Sequence, residues 1–126
     1  KSLRGDLELV RGMKAGLPQG VDLSKAKAWL VQTATGSTAA IGASFNIKSV
    51  TRTATGLYDV LFAVPFKDAN WCGQAGNTSE VGYQGGIYAA SNTTGKARIN
   101  MTDDAATAAN TDSSFMFVAF GELENE

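Results

Sequence analysis

Period-two alternation constrains this chain more than any other feature. In residues 44–66, SFNIKSVTRTATGLYDVLFAVPF, the side chains Tyr58, Val60, Phe62, Val64 and Phe66 fall on every second position, and Phe45 and Ile47 alternate with Asn46 and Lys48. Successive side chains of a strand point to opposite faces, so this spacing puts the apolar set on one face of a sheet, where a helix would need a period of 3.6. The segment therefore reads as strand, polar turn, strand. Residues 51–56 form the turn, and Gly56 can take the positive φ that closes a hairpin loop.

The same pattern recurs along the chain. Residues 26–33 read as a strand around Trp29, and residues 36–42 as a connection of small residues. Residues 70–75 form a short strand with Trp71 and Cys72 on opposite faces. Residues 81–90 alternate through Val81, Tyr83, Ile87 and Ala89. Residues 96–102 place Ala97, Ile99 and Met101 inward and Lys96, Arg98 and Asn100 outward, and residues 114–121 close the domain after a polar, alanine-rich loop. Short strands at close spacing separated by Gly, Thr and Asn predict an all-β fold, an antiparallel β-sandwich of jelly-roll-like type. Seven strands are expected, within a domain spanning residues 25–121. Residues 1–24, richer in charge and broken by glycines, read as an arm or stalk connection, and residues 122–126 as a tail.

Composition narrows the chemistry. The chain has 126 residues, one domain's worth, with a net charge of −1, which does not favour nucleic acid or an acidic membrane surface as partner. It contains no histidine and one cysteine. Serine–histidine and cysteine–histidine catalysis, histidine metal ligation and an internal disulfide are thereby excluded. Cys72 is expected to be a small buried apolar residue. Sugar hydrolysis would need two carboxyl groups held at a fixed separation. Asp59, Asp68, Glu80 and Asp103 are available, but no pattern brings two of them together, so no enzymatic activity and no cofactor are expected. Asp103-Asp104 falls short of the oxygens a calcium ion requires, and Gly82, Gly85 and Gly86 lack the spacing of a phosphate loop.

The closing strand carries apolar residues on both faces. Phe115, Phe117 and Ala119 point one way, and Met116, Val118 and Phe120 the other. An antiparallel sheet with one wet face does not need the second set. Leu57 and Leu61 likewise add apolar side chains to the outer face of their strand. A second copy of the chain is expected to cover this surplus, making Leu57, Leu61, Met116, Val118 and Phe120 subunit-interface candidates. Trp29, in mid-strand, is expected in the core or at the same interface.

These segments also carry a resemblance. Lys27-Ala28-Trp29, then Asn46-Ile47-Lys48-Ser49-Val50-Thr51, then Thr55-Gly56-Leu57-Tyr58-Asp59-Val60 with Phe62, then Ala69-Asn70-Trp71, and finally Asp112-Ser113-Ser114 before Phe117-Val118-Ala119-Phe120-Gly121, occur in the order of a module that resembles the C-terminal β-sandwich of tailed-bacteriophage tail fibres and related virion proteins. The resemblance covers residues 25–121. It implies a structural virion protein made in the host cytoplasm: a fibre or decoration domain for assembly and surface display, assembled as a homotrimer, with residues 1–24 docking on other virion proteins. It also implies an alternative, a carbohydrate-binding module for host attachment on the same scaffold. For that alternative, Trp71, Tyr83 and Tyr88 are candidate aromatic platforms for a sugar face. Asn92, Asp103 and Asp104, in predicted loops with Thr93, Thr94 and Asn110, are candidate hydrogen-bonding partners for its hydroxyls.

Overall fold

The computed structural model describes residues 21–78, 82–88 and 91–126. Among these, eight strands run in the order β1 (Ala28–Gln32), β2 (Ile41–Phe45), β3 (Ile47–Ala54), β4 (Leu57–Phe62), β5 (Cys72–Asn77), β6 (Gln84–Ile87), β7 (Lys96–Thr102) and β8 (Phe115–Phe120). They form two four-stranded sheets, ordered β2-β1-β8-β5 and β3-β4-β7-β6, with every pairing antiparallel. The expected β-sandwich is the observed architecture. In its second half β5 pairs with β8 and β6 with β7, so a long hairpin folds over between the two sheets. Most of the arm expected over residues 1–24, and the Val81 and Ala89 ends of the predicted sixth strand, lie outside the described residues.

The eighth strand comes from a corner that alternation does not reveal. The expected strand across residues 44–50 breaks at Asn46, with Phe45 ending β2 in one sheet and Ile47 opening β3 in the other. Asn46 has φ of 56°, a left-handed conformation that asparagine tolerates better than other non-glycine residues. Its side chain holds the corner. Nδ2 donates to the carbonyls of Lys27 at 3.1 Å and Val64 at 3.0 Å, and Oδ1 accepts from the Val64 N–H at 2.7 Å. The hairpin that follows is tighter than expected: β3 continues to Ala54, leaving only Thr55 and Gly56 between paired strands. Gly56 does have positive φ, 69°, and a Cβ there would stand 2.5 Å from the Met101 carbonyl oxygen.

The core lies between the sheets. Ala28 and Leu30 of β1, Tyr58, Val60 and Phe62 of β4, Ala75 of β5, Ala97, Ile99 and Met101 of β7, and Phe115, Phe117 and Ala119 of β8 are all buried, as their alternation requires. Phe66 and Trp71, from the connection between β4 and β5, complete it. Phe62 packs edge-on against Phe66 at 5.0 Å and Trp71 at 5.3 Å, and stacks against Phe117 at 6.2 Å. Offset and edge-to-face rings gain from their quadrupoles in addition to the area they bury.

One end of the sandwich is closed by buried polar groups. Gln32 is fully buried, and its amide makes four hydrogen bonds: Nε2 donates to the carbonyls of Ala34 and Ser113, both at 3.0 Å, and Oε1 accepts from the N–H groups of Ala34 at 2.7 Å and Ala40 at 3.0 Å. Ser113 donates its N–H to the Tyr58 hydroxyl at 3.1 Å and its Oγ to Asn77 Oδ1 at 2.8 Å. The neighbouring Asp112 accepts from Arg52 Nε at 2.8 Å and from the Gly56 N–H at 3.0 Å. The Asp112-Ser113-Ser114 segment therefore latches the β3–β4 hairpin to the closing strand. At the other end, residues 122–126 are tied to the sandwich. Lys67 and Glu124 donate their N–H groups to Glu122 and Pro65, and the buried Lys27 donates Nζ to both Glu126 carboxylate oxygens, at 2.6 and 2.8 Å.

These pairs set the response to acid. The Arg52 hydrogen bond holds the Asp112 carboxyl below its ordinary range, and the Arg98 hydrogen bond does the same for Asp59. A carboxylate whose folded pKa is depressed contributes stability above its unfolded pKa, and loses it as pH falls through the folded value. Urea midpoints measured from pH 7 downward are therefore expected to hold until about pH 4, the unfolded carboxylate range, and to decline below it. Asp112→Asn should flatten part of that decline; an acid limb unchanged in this variant would contradict the assignment. Burial raises the Tyr58 pKa, so on the alkaline side stability is expected to fall above about pH 10 as its phenol is forced to ionise.

Candidate functional site

The register of the β2-β1-β8-β5 sheet determines what its outer face displays. Residues directly opposite on paired strands share a face. Phe45, Trp29, Val118 and Gln74 form one row across all four strands, and Ala43, Val31, Met116 and Gly76 form the next. Phe120 and Cys72 pair at the start of a third row. Neither of the two full rows contains a charged residue. Their large members are exposed: Trp29 39%, Phe45 52% and Met116 52%. The alternation that buries Leu30 and Phe117 also forces Trp29, Val31, Met116 and Val118 outward, and no other described segment covers them.

A groove of about 360 Å³ runs between these rows, lined by Trp29, Val31, Gln74, Gly76, Met116 and Val118, with Leu30 and Phe117 beneath. Gly76 leaves it open on the β5 side, since nothing lies within 4 Å of where a Cβ would project. A cavity with this lining has few polar partners to offer water. It suits apolar side chains.

The subunit-interface candidates divide between the two outer faces. Trp29, Met116, Val118 and Phe120 share the apolar face, and the exposed indole of Trp29 rules out its place in the core. Leu57 and Leu61 lie on the outer face of the other sheet, where they flank an ion-pair cluster. There Arg98 donates to both Asp59 oxygens at 2.7 and 3.1 Å, and Lys96 Nζ lies 3.8 Å from Asp59. That face is polar. Isolated leucines on such a surface are ordinary.

The glycan candidates do not assemble. Trp71 is only 8% exposed: it stacks on Phe66 at 5.4 Å and donates Nε1 to the Thr93 carbonyl at 2.9 Å, so neither ring face is offered to a ligand. The platform expected from Trp71, Tyr83 and Tyr88 is corrected accordingly. Tyr88 is 49% exposed and follows β6 opposite Arg98, near Asn92, whose Oδ1 accepts the Arg98 N–H at 3.1 Å. Tyr83 precedes β6, which begins opposite Thr102, and so lies towards the far end of β7. Asp103 is at that end and uses one oxygen to accept the N–H groups of Ala105 and Ala109, both at 3.1 Å, closing its own loop. Asp104 lies against Gly82. The set is split along the length of a strand instead of converging on one ligand.

Two residues depart further from expectation. Cys72 is exposed, not buried, because Trp71 takes the inward position beside it. Phe45 was expected to share a face with Ile47; the corner at Asn46 sends it to the apolar outer face while Ile47 packs partly against the core. The signal that could have revealed this was Asn46 itself, a residue able to adopt positive φ between two short apolar stretches. Among the described residues there is no group of three or more potential metal-ligating side chains, and no helix long and apolar enough to cross a membrane. Comparison with protein-family models, curated proteins and solved structures finds no match for this chain.

Proposed function

We propose that this chain is a structural domain of a tailed-bacteriophage virion, a fibre or decoration module whose work is assembly and display, and that its copies meet as a homotrimer through the outer face of the β2-β1-β8-β5 sheet. The observation that carries this reading is the pair of charge-free rows holding Trp29, Val31, Val118, Phe45 and Met116 in the open. Each large apolar side chain removed from water contributes roughly 1.5–3 kcal/mol, and contiguous exposed patches of this kind mark association surfaces. The ordered segments that resemble virion fibre proteins supply the biological setting. Residues 1–24 are proposed to mount the domain on another virion protein. No catalytic step is part of this reading.

Sedimentation equilibrium on the full chain at micromolar concentration is expected to return three times the 13.1 kDa protomer mass. Assembly should also shift Trp29 emission to the blue and slow the reaction of Cys72 with a thiol reagent, because both are exposed on this side of the protomer. A stable monomer with freely reacting Cys72 would overturn the assembly reading.

A further inference from the structure

Phe45 ends β2, the edge strand of its sheet, and is 52% exposed. Every residue of β2 is exposed, and its sequence, IGASF, carries no charge. The groove described above lies on the same face of the same sheet, between β1, β8 and β5. Each protomer therefore displays an apolar knob and an apolar hole side by side. It cannot join them. Phe45 and Gln74 stand at opposite ends of one cross-strand row, three inter-strand spacings or about 14 Å apart, with Trp29 and Val118 between them.

Resting on the reading that copies meet through this face, we infer that Phe45 of each protomer inserts into the groove of the next, between Trp29 and Met116 and over Gly76. Charge selects this occupant. The groove offers no charged partner to an ionic side chain, while the opposite outer face carries the Asp59–Arg98–Lys96 cluster and would bury it against apolar surface. Of the two outer faces, only the apolar one fits itself. The volume of about 360 Å³ accommodates a phenyl ring with room for a second apolar side chain, and Ile41, 42% exposed on the same strand, is available. Knob and hole occupy different places on the protomer, so the contact is head-to-tail. A head-to-tail contact closes into a ring when its rotation permits, which makes three copies a natural product.

Cysteine trapping tests this directly. In a Cys72→Ser background, Phe45→Cys and Gln74→Cys are combined in one chain. Cysteines whose Cα atoms are more than about 7 Å apart cannot pair within a protomer, so any disulfide joins two copies. Mild oxidation is expected to give a covalent trimer on a denaturing gel. In parallel, Phe45→Ser is expected to raise the dissociation constant of the assembly by about tenfold or more, as for a central interface aromatic, with an unchanged circular-dichroism spectrum. Wild-type chain that assembles, yet gives no covalent product or stops at a dimer and tolerates Phe45→Ser, would overturn the insertion while leaving the assembly reading intact. Wild-type chain that stays monomeric would overturn both.

Discussion

Gln32→Leu is expected to destabilise the domain severely, although it makes a buried position more apolar. The Gln32 amide is the only partner shown for the side-chain bonds that gather the Ala34 and Ala40 N–H groups and the Ser113 carbonyl. Leucine fills similar space and offers none of them a partner. Leaving a buried donor or acceptor unsatisfied costs about 1–3 kcal/mol each. Even if water reaches part of the loop after β1, a total near 3 kcal/mol is expected, against about 5–15 kcal/mol for a whole domain. The measurement is a urea titration. With a slope of roughly 1–3 kcal/mol per molar, the midpoint should fall by about 1 M or more at unchanged slope. A shift of only a few tenths molar would mean that the loop bonds are not coupled to the fold.

Phe62→Ala is the second large effect. Phe62 is 4% exposed and touches three aromatic rings belonging to Phe66, Trp71 and Phe117. Truncating a buried phenylalanine costs about 3–5 kcal/mol through lost transfer energy and the cavity left behind. The surrounding rings are held by strands and by the Trp71 indole hydrogen bond, so little collapse is available to relieve it. A domain of ordinary stability should be largely unfolded, or melt at least 10 °C lower, as read by calorimetry. The matching control is Phe45→Ala. That removal of the same ring from an exposed position should change protomer stability by less than about 0.5 kcal/mol. Equal losses at the two sites would contradict the burial that separates core from association surface.

The strands themselves were legible because burial in a sandwich imposes period two. Residues 96–102 and 114–121 were read with the correct inward and outward sets, and the observed strands β7 and β8 differ from them only at their ends. Gln32 could also have been placed inward, since it shares parity with Ala28 and Leu30. What parity could not supply was its set of partners, which come from residues 34, 40 and 113. Trp71 shows the opposite limit. Its inward direction relative to Cys72 was readable, yet an aromatic residue serves a sugar platform or a core equally well. Only the positions of Phe62, Phe66 and Phe117 decide between them.

The linear order of residues, acting through backbone geometry, determined that this chain is all-β and that its last strand has apolar residues to spare. It also excluded histidine chemistry and disulfide stapling, because those depend on residue types that are simply absent. Which apolar residues stay outside was decided by the tertiary structure. A single left-handed residue, Asn46, changes the sheet to which the chain belongs and turns Phe45 out. Cross-strand register then sets Phe45 in line with Trp29 and Val118, bringing together residues as far apart in sequence as 29 and 118. Alternation along one strand specifies a direction for each side chain. A surface exists only when several strands are aligned, and that alignment is a property of the folded sheet.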